Sequence, residues 1–142
     1  MWQGPFRLRE CLDRPGGAEP LPPEAGGVYL FSLSASFATD QILYVGDSHV
    51  STNQNIRNRI GDEITCLLGF HGEVAGYGWG GILLSEHCRA AELNPLDLHL
   101  AWRIELGCPR LAEQQLYDSY KHAPGTVLLN RRRPQNCGAC HG

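Results

Sequence analysis

The spacing of apolar positions changes several times along the chain, and each change predicts an element. Val28 to Leu33 and Gln41 to Val45 are short apolar runs that read as two strands. The small and polar stretch Ser34 to Asp40 between them predicts the turn of an antiparallel hairpin. Capping residue types from Asp47 to Asn53 precede Ile56, Ile60, Ile64, Leu67 and Leu68, a helical stripe expected to stop at Gly69. Six glycines from Gly69 to Gly81 predict a loop holding His71, Tyr77 and Trp79. A second helix is expected over 82–93, ended by Asn94-Pro95. Leu96, Leu98, Leu100, Trp102, Ile104 and Leu106 then alternate with mostly polar residues, which predicts a strand with one buried face and the other wet or covered by something polar. Cys108-Pro109 starts a last helix running through Ala112, Leu116 and Tyr120 to about His122. Pro124-Gly125 ends it, and Val127 to Leu129 is expected to pack back.

Prolines and glycines over 15–27 exclude regular structure and mark a lead-in to the first strand. Before it lies an arm whose Trp2, Phe6, Leu8 and Leu12 are expected to pack on the domain. A chain of 142 residues with 42% hydrophobic content supports one ordinary core. The divisions are an N-terminal arm and lead-in over 1–20, one α/β domain of the α+β type over 21–134, and a cysteine-containing tail over 135–142.

The net charge of −3 excludes a global positive field, so any nucleic-acid binding must come from a local patch. Eleven of the twelve basic residues are arginine, the better partner for paired phosphate oxygens, and Arg131-Arg132-Arg133 is their densest run. No apolar run approaches the ~20 residues that span a bilayer, and Met1 to Arg7 lacks a signal-peptide hydrophobic region. A soluble, cytoplasmic protein without membrane contact is the expectation. In that compartment Cys11, Cys66, Cys88 and Cys108 should be reduced thiols. Cys137-Gly138-Ala139-Cys140-His141 spells a c-type haem attachment motif. A haem also needs a second axial ligand, and the only methionine is Met1. A partial zinc site or an unstructured tail are the remaining readings.

Two segments carry the chemistry: Gly27-Val28-Tyr29 and Tyr44-Val45-Gly46, with their tyrosines fifteen positions apart. Over residues 21–132 the chain resembles the GIY-YIG nuclease family. The resemblance implies a three-stranded antiparallel sheet flanked by helices. It also implies one site made of Tyr29, Tyr44, Arg59, Glu113 and Asn130, the glutamate lying in the helical run Leu111 to Leu116. Its implied activity is Mg²⁺-dependent (or Mn²⁺-dependent) endonucleolytic hydrolysis of DNA. No sequence-reading module is visible, so any specificity is expected from loops, the arms, a homodimer or a partner protein.

Those residue types suit the reaction. Phosphodiester hydrolysis needs an activated water, stabilisation of phosphoryl charge and help for the leaving alkoxide. A lone Glu113 suits Mg²⁺, which binds through one or two carboxylates and keeps waters and substrate oxygens. A tyrosine base is the demanding part. A reference pKa near 10 leaves about one part in a thousand ionised at pH 7, a deficit of roughly 4 kcal/mol. The expectation is that Tyr29 takes the proton of the water while Tyr44 positions water or phosphate.

Arg57 and Arg59 stand about 200° apart on a helix, so one of them faces the site. Arg59 is the choice, with Gly46, Arg57 and Arg131 as substrate-binding residues. The segment between Tyr44 and the arginine is longer than the family pattern. Glu63 stands where relatives carry an auxiliary histidine or tyrosine, and His49 and His71 are the candidate substitutes. These departures leave a second reading, a catalytically weakened member of the fold that binds nucleic acid or protein. A small metal or redox protein built on the terminal cysteines is a third.

Overall fold

The computed structural model describes residues 1–12, 22–70 and 79–136. His71, Tyr77 and the Cys137–His141 motif lie outside the described residues.

Strand β1 (Gln3–Arg7) runs into a short helix α1 (Leu8–Leu12). Strands β2 (Gly27–Ser32) and β3 (Ile42–Ser48) form the expected antiparallel hairpin, pairing Tyr29 with Gly46 and Phe31 with Tyr44. Helix α2 (Ile56–Leu67) is capped by the Asn55 side chain, which accepts from the Asn58 N–H at 2.9 Å. It ends where Gly69 takes φ +99°, as the glycine predicts. Helix α3 (Trp79–Ala90), strand β4 (His99–Ile104) and helix α4 (Pro109–Lys121) complete the order.

The sheet has four antiparallel strands in the order β1-β4-β2-β3, where three were expected. The arm supplies the extra strand: β1 pairs with the free side of β4, and Phe6 packs on Trp102 with ring centroids 5.4 Å apart. Trp2 is held between Phe37, at 5.5 Å, and the Arg103 guanidinium, at 5.0 Å. Strand β4 is shorter than the alternation over 96–106 predicts. Asn94 caps a 3-10 turn over Pro95–Asp97, its side chain accepting from the Leu96 N–H at 3.0 Å, and Leu106 is 97% exposed. Helix α3 starts three residues before its expected position and stops at Ala90, where Glu92 at φ 56° turns the chain.

Both faces of the sheet are covered. Tyr29, Phe31, Leu43, Leu100 and Trp102 pack with Ile56, Ile60 and Leu67 of α2 and Leu84 and Cys88 of α3. Leu30, Ile42, Val45 and Ala101 meet Tyr117 of α4 and Leu128 on the other side. That second layer is why β2 is buried along its whole length and why Ala101, on the other face of β4, is dry. Cys66 and Cys88 are free thiols, whereas Cys108 is disulfide-bonded, against the expectation of four reduced thiols. Among the described residues no helix is long and apolar enough to cross a membrane.

Leu8 follows β1 directly and is fully buried in the larger core. Leu8→Ala is expected to destabilise the protein by about 2–5 kcal/mol in urea unfolding. A loss below about 1 kcal/mol would show the arm to be peripheral.

Candidate active site at the free edge of β3

Strand β3 is one of the two edge strands, so one row of its backbone groups has no neighbouring strand. The segment after α4 covers part of that row. The Leu129 N–H donates to the Leu43 carbonyl at 2.7 Å. The Asn130 amide then pairs with both backbone groups of Val45: its Oδ1 accepts from the N–H at 3.0 Å and its Nδ2 donates to the carbonyl at 2.9 Å. Beside this clamp lies a cavity of about 300 Å³ lined by Tyr44, Asp47, Arg59, Arg110, Glu113 and Asn130, together with Arg132 and Arg133. The edge position matters. Side chains from the α2 face and the α4 face of the sheet can meet only where the sheet ends.

The two tyrosines sit on the α2 face with ring centroids 6.5 Å apart. Tyr29 is paired opposite Gly46, and a Cβ at position 46 would overlap its ring and hydroxyl. Glycine there lets the ring cross the neighbouring strand. Tyr29 is fully buried, and its hydroxyl has no well-aligned hydrogen-bond partner, although the Arg59 guanidinium lies against it. Burial pushes both phenols well above their ordinary value; Glu63 adds to the shift, and Arg59 opposes it. Tyr44 lines the cavity and Tyr29 does not. The tyrosine within reach of a water is therefore Tyr44, contrary to the expectation that assigned the water to Tyr29.

Arg59 and Glu63 are one turn apart on α2. Glu63 is buried at the junction of α2, α3 and the hairpin. Its carboxyl is met by the backbone N–H groups of Gly81 and Gly80 in the first turn of α3. A Cβ on Gly80 would overlap both Glu63 Oε2 and the Tyr44 ring, so glycine allows the three elements to close on one point. Glu63 Oε2 has no hydrogen-bond partner. Burial raises the Glu63 pKa to about 7, against the opposing pull of Arg59 and the two glycine N–H groups. Burial alone would lower the pKa of Arg59, but Tyr29 and Glu63 outweigh it and hold the guanidinium charged.

Glu113 reaches the cavity from the second turn of α4. Arg110, one turn earlier, lies between it and Asp47 of β3: its Nε is 2.8 Å from Asp47 Oδ2 and 3.5 Å from Glu113 Oε2. Burial raises the Glu113 pKa, and the neighbouring Asp47 raises it further. Asp47 and Glu113 are both buried and share Arg110, and their oxygens are the kind of donor a hard dication takes. Among the described residues no group of three or more His, Cys, Asp or Glu converges. The donors therefore fit Mg²⁺ or Mn²⁺ held by one or two carboxylates, not a closed metal cage.

The other expected residues fall elsewhere. Arg57 points to the lead-in, donating to the Pro22 carbonyl at 2.6 Å and lying 3.6 Å from Glu24, as the rotation argument requires. His49 lines a separate cavity with Glu24, Gly26 and Ile104. Arg131 is 76% exposed and borders a neighbouring cavity rather than this one. Three residues of the cluster are additional to the expected set: Glu63, Asp47 and Arg110. Asp47 had a usable signal, since it shares the α4-facing parity of Val45 on β3. Arg110 stands three positions before Glu113 on its helix, the spacing of a same-face pair.

No family model, no curated protein and no solved structure matches the chain. What the fold and the cavity define is an α+β domain with a tyrosine, arginine and carboxylate cluster at a sheet edge.

The Glu63 pKa has a consequence for stability. In the folded state it stands at about 7, above its ordinary value of 4.5, so the folded protein binds the proton more tightly than the unfolded chain. That stabilisation is complete below the ordinary carboxylate range and is lost as pH rises through about 7. Glu63→Gln is expected to flatten the fall in unfolding free energy between pH 5 and 8 by an amount on the order of 3 kcal/mol. Glu113 contributes a residual slope of the same sign. Chemical denaturation at a series of pH values measures the difference, and an unchanged slope in the variant would refute the assignment.

Proposed function

We propose that the chain is a GIY-YIG-like, Mg²⁺-dependent endonuclease that hydrolyses DNA phosphodiester bonds. The observation that carries this reading is that Tyr44, Arg59, Glu113 and Asn130 line a single cavity. Tyr29 and Glu63 lie buried behind it, in electrostatic contact with Arg59.

The roles follow from the chemistry. Arg59 and Arg132 supply the local positive field that a net charge of −3 denies the whole chain, whereas Arg133 is paired with Asp118 at 2.9 Å. Arg59 is held charged by its buried neighbours and is suited to bind a phosphoryl oxygen pair. Glu113, with Asp47 beside it, would hold the metal. When bound there, the metal supplies charge stabilisation at the phosphoryl oxygens and the leaving oxygen. Tyr44 accepts the proton of the attacking water while passing its own hydroxyl proton towards Glu63. The phenol never has to persist as a phenolate, which its burial opposes. Glu63, with a pKa of about 7, is ionised often enough at neutral pH to take the proton. Tyr29 fixes the ring and guanidinium positions, and Asn130 holds the backbone of the second motif.

One observation favours the second reading, a weakened member of the fold that binds nucleic acid or protein. The Arg110 guanidinium already sits between Asp47 and Glu113, in competition with a metal.

Nicking of supercoiled plasmid in Mg²⁺ separates the two. Glu113→Gln and Tyr44→Phe are each expected to lower the rate by about 10²-fold or more. Tyr29→Phe is expected to lower it less than Tyr44→Phe. The wild-type rate should rise with pH through about 7 as Glu63 ionises, and that limb should vanish in Glu63→Gln. Cleavage unchanged in Glu113→Gln would sink the endonuclease reading, and binding without cleavage under any divalent metal would favour the module.

A further inference from the structure

A second cavity, of about 390 Å³, adjoins the first and is lined by Tyr44, Trp79, Leu83, Asn130, Arg131 and Arg132. Tyr44, Asn130 and Arg132 belong to both cavities, so a ligand can pass from one to the other without leaving the protein surface. The two differ in character. The first is walled by charge. The second has an indole 72% exposed at the start of α3, with Leu83 one helical turn further along the same face.

We propose that this second cavity is a stacking subsite for an unpaired nucleobase adjacent to the scissile phosphate. The proposal rests on the endonuclease reading and deepens it by naming the substrate class. A large aromatic face beside a phosphate-handling cavity is the arrangement that takes bases without reading their sequence, because every base presents a π-face. The flanking charge fits a strand leaving the first cavity. Arg131 is paired with exposed Glu86 at 3.8 Å, and such a contact is readily exchanged for a phosphate. Arg132 stands where the two cavities meet. A duplex keeps its bases inside the stack, so the base that enters must be unpaired or extruded. The preferred substrate is therefore a bulge, flap or branch rather than continuous duplex.

The test uses the full chain in Ca²⁺, with two fluorescein-labelled DNA hairpins that differ by one unpaired nucleotide. Anisotropy is expected to show the bulged hairpin bound about tenfold more tightly than the paired one. Trp79→Ala should remove that preference, and Trp79→Phe, which still stacks, should keep most of it. Circular dichroism of each variant checks that the fold is kept. Equal affinity for the two hairpins, or a preference that survives Trp79→Ala, would overturn the subsite. Failure of the endonuclease reading looks different. It would appear as no Mg²⁺-dependent cleavage of either hairpin by the wild type, while a Trp79-dependent preference in binding would still support the stacking subsite. Cleavage that depends on Glu113 but shows no binding preference would leave the nuclease and refute the subsite.

Discussion

The crossing of Tyr29 over Gly46 is the contact on which the rest of the arrangement depends. In an antiparallel pair, residues directly opposite stand close and their side chains compete for one space. Leaving position 46 without a side chain gives that space to a phenol ring. The ring then lies inside the sheet's own outline, its hydroxyl deep in the core beside Arg59 and Glu63. Tyr44, two residues before the glycine and on the same face, is left to reach the surface. One buried and one accessible tyrosine thus follow from a single pairing register. A slip of β3 by one residue would send Tyr44 to the α4 face and put a side chain opposite Tyr29.

The same closeness determines the electrostatics. Gly80 and Gly81 bring the first turn of α3 against α2, and the buried carboxyl of Glu63 takes up the N–H groups there. A carboxylate in such a place is expensive to ionise, and the Arg59 charge offsets that only in part. The result is a group near neutrality beside two phenols that resist ionisation. Glu113 repeats the pattern on the other face of the sheet, with Asp47 as its rival and Arg110 as its counter-charge. Titratable groups shifted in this way are common at reactive sites and are also found in structural ion pairs. Here Tyr44, Arg59 and Glu113 open onto one cavity, with Tyr29 and Glu63 buried behind it.

Much of this was legible in the residues. The hairpin, the α2 stripe and its glycine stop, and the proline-started α4 all follow from period and punctuation, because each is a local property. Of the five expected site residues, Tyr44, Arg59, Glu113 and Asn130 line one cavity and Tyr29 is buried behind it. The fourth strand was not legible. Gln3 to Arg7 carries proline and glycine and no alternation, and it becomes a strand only because β4 offers it a free edge. Nor was the place of Glu63, which the sequence marked only as standing where relatives carry an auxiliary histidine or tyrosine. Its burial depends on two glycines seventeen and eighteen positions away, a tertiary effect with no local signal. His49 failed for the converse reason. It follows the second motif in sequence, but the chain turns away after Ser48 and carries it to another cavity.

The placement of the cavity at an edge strand is the last step that links fold to chemistry. Were β3 flanked by another strand, Arg59 and Glu113 would be separated by the sheet, since they approach from opposite faces. An open edge brings them together but leaves backbone groups bare, and bare edges invite pairing with other chains. Asn130 resolves the conflict by imitating a strand with one side chain. Its amide supplies both an acceptor and a donor to Val45, and no further strand residues have to follow. The chain is then free to leave the edge at Arg131, placing Arg132 and Arg133 beside Tyr44 and Glu113. A tyrosine–glycine motif at a sheet edge and an asparagine before a basic run are therefore two halves of one device. The first prepares the edge, and the second closes it just far enough to leave a pocket.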